Sequence, residues 1–302
     1  MRQLNASETA ARLPYPALAD ALRDVLRLRA RGIAHAPPRL IVPLADDGLL
    51  LLMPATDGEI AITKLATAHT GNAARRLPVI QAEVTVMDAA TGERRLMLDG
   101  ATVTARRTAA LSLLAAQTLA PHPGGQLLIL GAGTQGLAHL EAFSDGLSLT
   151  GVSLWSRGRE KTLALAERAA ARGLPVNVLD TADELDDAAQ RSDLIVAATT
   201  SASPVVPERV GAGAFIAAVG AFKPGMAELP AALVKRARVF VDTIEGAQAE
   251  AGDLIQAGVD WSRVVALEAA LDAPRPTAGP VVFKSVGHAL WDLAAARLAL
   301  VG

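Results

Sequence analysis

From Pro14 to Arg31 apolar positions recur at helical spacing in a stretch rich in Ala, Leu and Arg, which predicts one amphipathic helix. A shorter helix is expected to start at Asn5–Glu8, with Ser7 as its cap. The pattern then breaks into short strand-like runs at Arg39–Pro43, Leu49–Pro54, Glu59–Leu65 and Val79–Asp88. Asp47-Gly48, Asp57-Gly58 and Thr91-Gly92 punctuate them as turns. Arg94–Leu98 follows the last turn, so Gln81–Leu98 reads as a hairpin. This half of the chain is expected to form a mostly antiparallel sheet with a flanking helix.

The pattern changes near Thr104. A helix over Ala105–Ala120 is closed by Pro121 and Pro123. Strand Gln126–Gly131, helix Thr134–Gly146, strand Gly151–Ser156 and helix Arg159–Gly173 follow. Strand Val176–Leu179, helix Ala182–Gln190 and strands Asp193–Thr199, Phe215–Gly220 and Val239–Asp242 continue the series. Strands alternating with helices make parallel βαβ units. The apolar stretch Val286–Leu300 predicts a last helix that returns to the first domain. The expected class is α/β: a Rossmann-type doubly wound parallel sheet over residues 111–283, plus a discontinuous α+β domain from 1–110 and 284–302.

Composition narrows the function. With 51% hydrophobic and 20% charged residues, the chain is not disordered. A net charge of −2 speaks against a nucleic-acid partner. The absence of cysteine excludes disulfides, cysteine-bound metals and thiol catalysis. The longest uncharged apolar stretch, Val210–Phe222, holds three glycines in 13 residues and is too short to span a membrane. The start MRQLNASETAARLPYP carries no signal-like apolar core, so a cytoplasmic protein is expected. His35, His69, His122, His139 and His288 are scattered without metal-ligand spacing, and no metal is expected.

The apolar run Leu127–Leu130 leads directly into Gly131-Ala132-Gly133-Thr134-Gln135-Gly136 and then a helix. This is G-x-G-x-x-G between a strand and a helix, the context in which it binds a dinucleotide pyrophosphate. The second strand ends in Ser156-Arg157-Gly158-Arg159 with no acid to hold a ribose 2′-hydroxyl. Ser156, Arg157 and Arg159 suit a 2′-phosphate, so NADPH is expected ahead of NADH. In the first half, Arg39, Lys64, Arg106 and Arg107 lie on strand-like or small-residue ground. An inward lysine at 64 needs an anionic partner. Several cations meeting at one place would suit a carboxylate substrate, although spacing alone does not choose among them.

Further stretches make the chain recognisable: Lys64 with Thr70-Gly71-Asn72 and Leu77-Pro78, Thr104-Ala105-Arg106-Arg107-Thr108-Ala109-Ala110, Val219-Gly220-Ala221, Pro224-Gly225-Met226 with Glu228, and Phe283-Lys284-Ser285-Val286-Gly287-His288-Ala289 with Asp292. With the glycine loop, they resemble the ornithine cyclodeaminase/mu-crystallin family. The resemblance implies a homodimer whose N-terminal sheets pair across a two-fold axis, a nicotinamide cofactor, and amino-acid or imine substrates. It implies that Arg39, Lys64 and Arg107 hold the substrate carboxylate; the charge of Lys64 also makes it a candidate proton relay to the imine. Ser285, Val286 and Gly287 would lie by the nicotinamide, and Thr199 and Val219 near the cofactor. His69 is a further candidate substrate contact, being close to Lys64 in sequence.

The chain departs from the lyases of that family at Phe222, where they carry an aspartate acting on the substrate amine. Phenylalanine cannot take a proton. The segment resembles the branch that reduces cyclic ketimines, 1-pyrroline-2-carboxylate to proline or 1-piperideine-2-carboxylate to pipecolate. Phe222 is then an apolar wall for the ring. Alternatively it packs in the core, and Glu228 or Asp292 serves as the acid of a cyclodeaminase. An amino-acid dehydrogenase and a non-catalytic NADPH-dependent ligand binder remain as other readings.

Overall fold

The computed structural model describes residues 1–301, the side chains of Thr70 and Ala73 excepted. The C-terminal Gly302, last residue of the expected returning segment, lies outside the described residues. The chain divides into two units, residues 1–110 with 288–302 and residues 111–287.

The first unit opens with β1 (Arg2–Gln3), α1 (Ala6–Ala11) and α2 (Tyr15–Ala30). Asn5, not Ser7, caps α1. Its side chain accepts the Glu8 N–H while Glu8 Oε2 accepts the Asn5 N–H, so two end donors are satisfied reciprocally. Ser7 lies inside the first turn and donates its hydroxyl to Asn5. Strands β2 (Leu40–Pro43), β3 (Leu49–Thr56), β4 (Ile60–Ala68), β5 (Ile80–Asp88) and β6 (Arg94–Asp99) form an antiparallel run, and β1 adds to β6 in parallel. Helix α3 (Gly100–Leu119) starts five residues before the expected Ala105, because the Asp99 carboxylate accepts the Thr102 N–H at 2.7 Å and caps it there.

In the second unit β7 (Gly124–Leu130), α4 (Thr134–Gly146), β8 (Ser148–Trp155), α5 (Arg159–Ala170), β9 (Val176–Val178), α6 (Ala182–Arg191), β10 (Leu194–Ala197) and β11 (Phe215–Ala218) alternate as expected. Then come α7 (Ala231–Arg236), β12 (Arg238–Val241), α8 (Ile244–Glu250), α9 (Gly252–Ala257), β13 (Val265–Ala266), α10 (Leu267–Ala270) and β14 (Val281–Lys284). The sheet order is β13-β12-β14-β11-β10-β7-β8-β9, and every pairing is parallel. Strand order reverses between β7 and β10, the switch point at whose carboxyl edge open α/β sheets bind ligands. The inner strands β10, β11 and β14 are buried along their whole length, which explains their apolar runs, interrupted only by Lys284 at the end of β14.

Helix α11 (Ala289–Val301) belongs to the first unit, where it packs on α2 and on β3, β4 and β5. Residue 284, the expected start of the returning segment, instead ends β14, where Lys284 aligns with Ala218 and Val241. The first unit's core lies between the helices and one face of the sheet. Met53, Ile62, Ala66, Val84, Val86, Leu96 and Leu98 are buried there with Leu18, Leu22 and Leu26 of α2. Each such leucine contributes about 1.5–3 kcal/mol. Strand alternation carries Lys64 to this same face, between Ile62 and Ala66.

Candidate functional site

In the first unit the cations sort themselves by helix phase. Thr104 and Arg107 lie three residues apart on α3 and share a face. Lys64, 4% exposed, donates to Thr104 Oγ1 at 2.5 Å and sits 3.3 Å from Asp292 Oδ1 of α11. The Thr104 hydroxyl donates to the Gly100 carbonyl at 2.7 Å, so its oxygen is oriented to accept from Lys64. Arg107 Nε is 3.4 Å from the same Asp292 oxygen. Asp292 is fully buried, and both cations share its one negative charge. Burial pushes the Lys64 ammonium below its ordinary range; Asp292 opposes this, and the charges of Arg107 and Arg39 add to it. Arg39, half-buried just before β2, therefore belongs to this electrostatic cluster.

Two other expected residues go elsewhere. Arg106 points along a different face of α3, where it donates to the Leu13 carbonyl and stacks 3.9 Å over the Tyr15 ring. It anchors the start of α2. The His69 ring lies against Gly48 in the turn between β2 and β3. Among the described residues no hydrogen bond or ion pair joins His69 to Lys64 or Arg107. β4 ends at Ala68, so His69 lies just past the strand that carries Lys64 inward.

In the second unit the glycine loop lies at the switch point. Gly131 has φ 111°, and a Cβ there would run into the Ala198 carbonyl. A Cβ at Gly136 would strike the Gly131 carbonyl, which brings α4 close to its strand. Gly133 faces open space and is the N-cap of α4, with no side chain capping the helix. Between Ala132 and Gln135 the backbone thus presents uncapped N–H groups beside Thr134 to an open cradle, which fits a pyrophosphate. At the β8 tip Arg157 is exposed and, among the described residues, has no charged partner, whereas Arg159 is paired with Asp180. The Ser156 hydroxyl bonds Thr162 at 2.7 Å.

The carboxyl ends of β10, β11 and β14 carry Thr199, Val219 and Ser285-Val286-Gly287. Asp242 Oδ2 accepts from Ser285 Oγ, Val286 N and Gly287 N at 2.8, 3.1 and 2.9 Å. Glu228 is fully buried and uses both oxygens. Oε1 accepts from Thr199 N and Oγ1 at 2.6 and 2.9 Å, and Oε2 from Gly220 N and Ala221 N at 2.7 and 3.1 Å. Burial pushes its carboxyl up, while the Lys284 charge and the Thr199 bonds oppose the rise. Lys284 itself pairs with Asp253 at 2.7 Å with neither side chain exposed. The sequence reading missed Asp242, Asp253 and Lys284. Their signal was weak but present: charged residues in otherwise unbroken apolar surroundings. Phe222, 41% exposed, is not a core residue; Lys223 Nζ lies 5.8 Å from its ring.

A parallel sheet wound both ways from a glycine-loop switch point defines the second unit as a Rossmann-type α/β domain; the first unit holds the buried cation cluster. Residues 2–300 match the ornithine cyclodeaminase/mu-crystallin family, and the chain belongs to it. It is 42% identical to Delta(1)-pyrroline-2-carboxylate reductase 1 of Burkholderia multivorans, over 98% of this chain and 94% of that one. It is 35% identical to the rat ketimine reductase mu-crystallin, over 95% and 90% of the two chains. Among solved structures, Delta(1)-pyrroline-2-carboxylate reductase of Thermococcus litoralis, in complex with NADH and L-proline, superposes with a TM-score of 0.90 at 26% identity, over 99% of this chain and 96% of that one.

Proposed function

We propose that the protein reduces a cyclic ketimine carboxylate, 1-pyrroline-2-carboxylate to L-proline or 1-piperideine-2-carboxylate to L-pipecolate. The carrying observation is the charge balance at Asp292, where one buried carboxylate faces the two buried cations Lys64 and Arg107. A substrate carboxylate supplies the missing negative charge. The names of the relatives support the same chemistry.

Arg39, Lys64 and Arg107 hold the carboxylate through charge-assisted bonds. Lys64, its ammonium weakened by burial, hands a proton to the ring nitrogen, and Asp292 keeps it charged until then. Phe222 gives the unsubstituted ring an apolar contact. The glycine loop 131–136 holds the pyrophosphate, and Thr199, Val219 and Ser285-Val286-Gly287 the nicotinamide end. When bound, the dinucleotide supplies the hydride for the imine carbon. Ser156 and Arg157, with no acid at the β8 tip, favour NADPH over NADH; Arg159, held by Asp180, has the smaller share.

The cyclodeaminase reading has less support. Phe222 cannot act as a base, Glu228 spends its oxygens on four donors, and Asp292 is taken up by Lys64 and Arg107. A homodimer fits the outer sheet face of the first unit. Leu40, Leu52 and Leu65 align across β2, β3 and β4, with Leu40 59% and Leu65 38% exposed, and β2 is an edge strand. A second copy would cover this face. No helix among the described residues is long and apolar enough to cross a membrane. The reading assigns the reaction to the cytoplasm and to proline or pipecolate metabolism.

The test follows NADPH absorbance with pyrroline- and piperideine-2-carboxylate, with ornithine and NAD⁺ as control. Steady NADPH consumption with a ring imine is expected. Ammonia release from ornithine at a comparable rate, or NADPH binding without turnover, defeats the reading. Sedimentation of wild type and Leu65→Glu tests the dimer, which the variant should weaken.

A further inference from the structure

In a doubly wound sheet the dinucleotide straddles the switch point, one half over each side. The β8 tip takes the adenine ribose. The loops after β10, β11 and β14 therefore serve the nicotinamide half. We propose that Glu228 is a positioning residue for that half, locking the loop after β10 to the loop after β11. The inference rests on the dinucleotide reading above.

The strands themselves do not need this carboxylate. β10 and β11 are already aligned over four residue pairs, Leu194–Ala197 with Phe215–Ala218. Burying a carboxylate carries a desolvation cost that the sheet pairing itself does not offset. What it does is collect donors that lie beyond the ends of the strands: Thr199 N and Oγ1 from one loop, Gly220 N and Ala221 N from the other. The two loops approach so closely that a Cβ at Gly220 would collide with the Thr199 carbonyl and with Glu228.

Glu228 is itself held fast. Its N–H and that of Leu229 donate to Asp253 Oδ1 at 2.5 and 2.8 Å, and its carbonyl accepts Val205 N and Val206 N at 2.9 and 3.0 Å. Asp253 in turn pairs with Lys284, the residue before Ser285. The loops beyond all three strands are thus tied to fixed anchors, Glu228 and Asp253 among them, as a preorganised cofactor contact requires.

The test is Glu228→Gln, which keeps the shape but turns an NH₂ toward donors at one end. Three quantities are read: NADPH affinity by fluorescence, affinity for 2′-phospho-ADP-ribose, which lacks the nicotinamide, and kcat with the better imine. Loss of a charged hydrogen bond corresponds to roughly tenfold or more. NADPH affinity and kcat should each fall about tenfold, while 2′-phospho-ADP-ribose binds within about twofold of wild type. Thr199→Val removes one donor of the four, should give the same split at about threefold, and carries the test if the first variant does not fold. Equal weakening of both nucleotides would mark general damage and overturn the proposal, as would unchanged NADPH affinity and kcat. A wild type that binds both nucleotides but reduces no imine defeats the proposed substrate alone, since the two affinities still decide the role of Glu228.

Discussion

Acid should loosen the second unit through one residue, His139. It lies on α4, one turn after the glycine loop, with no exposed surface. Its Nδ1 bonds the Gln135 carbonyl at 2.7 Å and its Nε2 the Ser112 hydroxyl of α3 at 2.9 Å, so the neutral ring is satisfied at both nitrogens. Burial holds it down at about 4 from an ordinary 6.5. At one pKa unit per 1.36 kcal/mol, this gap is worth about 3 kcal/mol. Between pH 6.5 and about 4 the unfolded chain binds the extra proton, so stability is complete above 6.5 and drains away as pH falls through that window. About 3 kcal/mol is a large part of the 5–15 kcal/mol typical of a domain. Denaturant unfolding at a series of pH values measures it directly, with nucleotide binding followed alongside. His139→Gln should be less stable at pH 7 by about 1 kcal/mol, yet lose much less between pH 6.5 and 4. Parallel stability–pH curves for the two proteins would refute the reasoning.

Further outcomes follow from the cation cluster and the β8 tip. Arg107→Met removes a charge-assisted contact worth about 1.5–3 kcal/mol, so kcat/KM for the imine should fall roughly ten- to a hundredfold while NADPH titrations stay normal. Asp292→Asn removes the charge that props up the Lys64 ammonium and leaves burial and Arg107 unopposed. Lys64 should then lose its proton at lower pH, and the basic limb of the kcat/KM profile should move in the acid direction; an unmoved limb counts against Lys64 as the proton donor. Arg157→Ala should raise the KM for NADPH roughly tenfold and leave that for NADH unchanged, and equal effects on both would dismiss the 2′-phosphate contact.

Much of the fold was legible because hydrophobic period and turn residues act locally. The hairpin from β5 to β6 and the β7–α4–β8 unit with its glycine loop needed no tertiary information. Lys64 was readable as an inward cation seeking an acid, but its partner Asp292 lies 228 residues away on α11, beyond any local pattern. The choice between Arg106 and Arg107 depends on helix phase relative to neighbours the sequence does not order. Strand β14 was missed for a related reason. It is four residues long, follows a proline-rich stretch, and becomes a strand through its neighbours β11 and β12 rather than through its own propensity. Glu228 was visible as a candidate acid, but its link through Asp253 to Lys284 was not, because the three lie on separate segments that only the fold brings together.

The late arrival of β14 has a consequence for synthesis. On the ribosome, β11 and β12 emerge tens of residues before the strand that separates them, at roughly 5–20 residues per second. Until residues 281–284 are released, each of those two strands presents a bare inner edge. The nascent chain must leave a slot one strand wide and resist closing it by pairing β11 with β12 directly, a misregistered sheet of seven strands. Pulse proteolysis of stalled chains would show the second unit unprotected when synthesis halts before Val281 and protected once β14 has emerged. The eight-stranded sheet is thereby complete only once residues 281–284 have taken their place between β11 and β12.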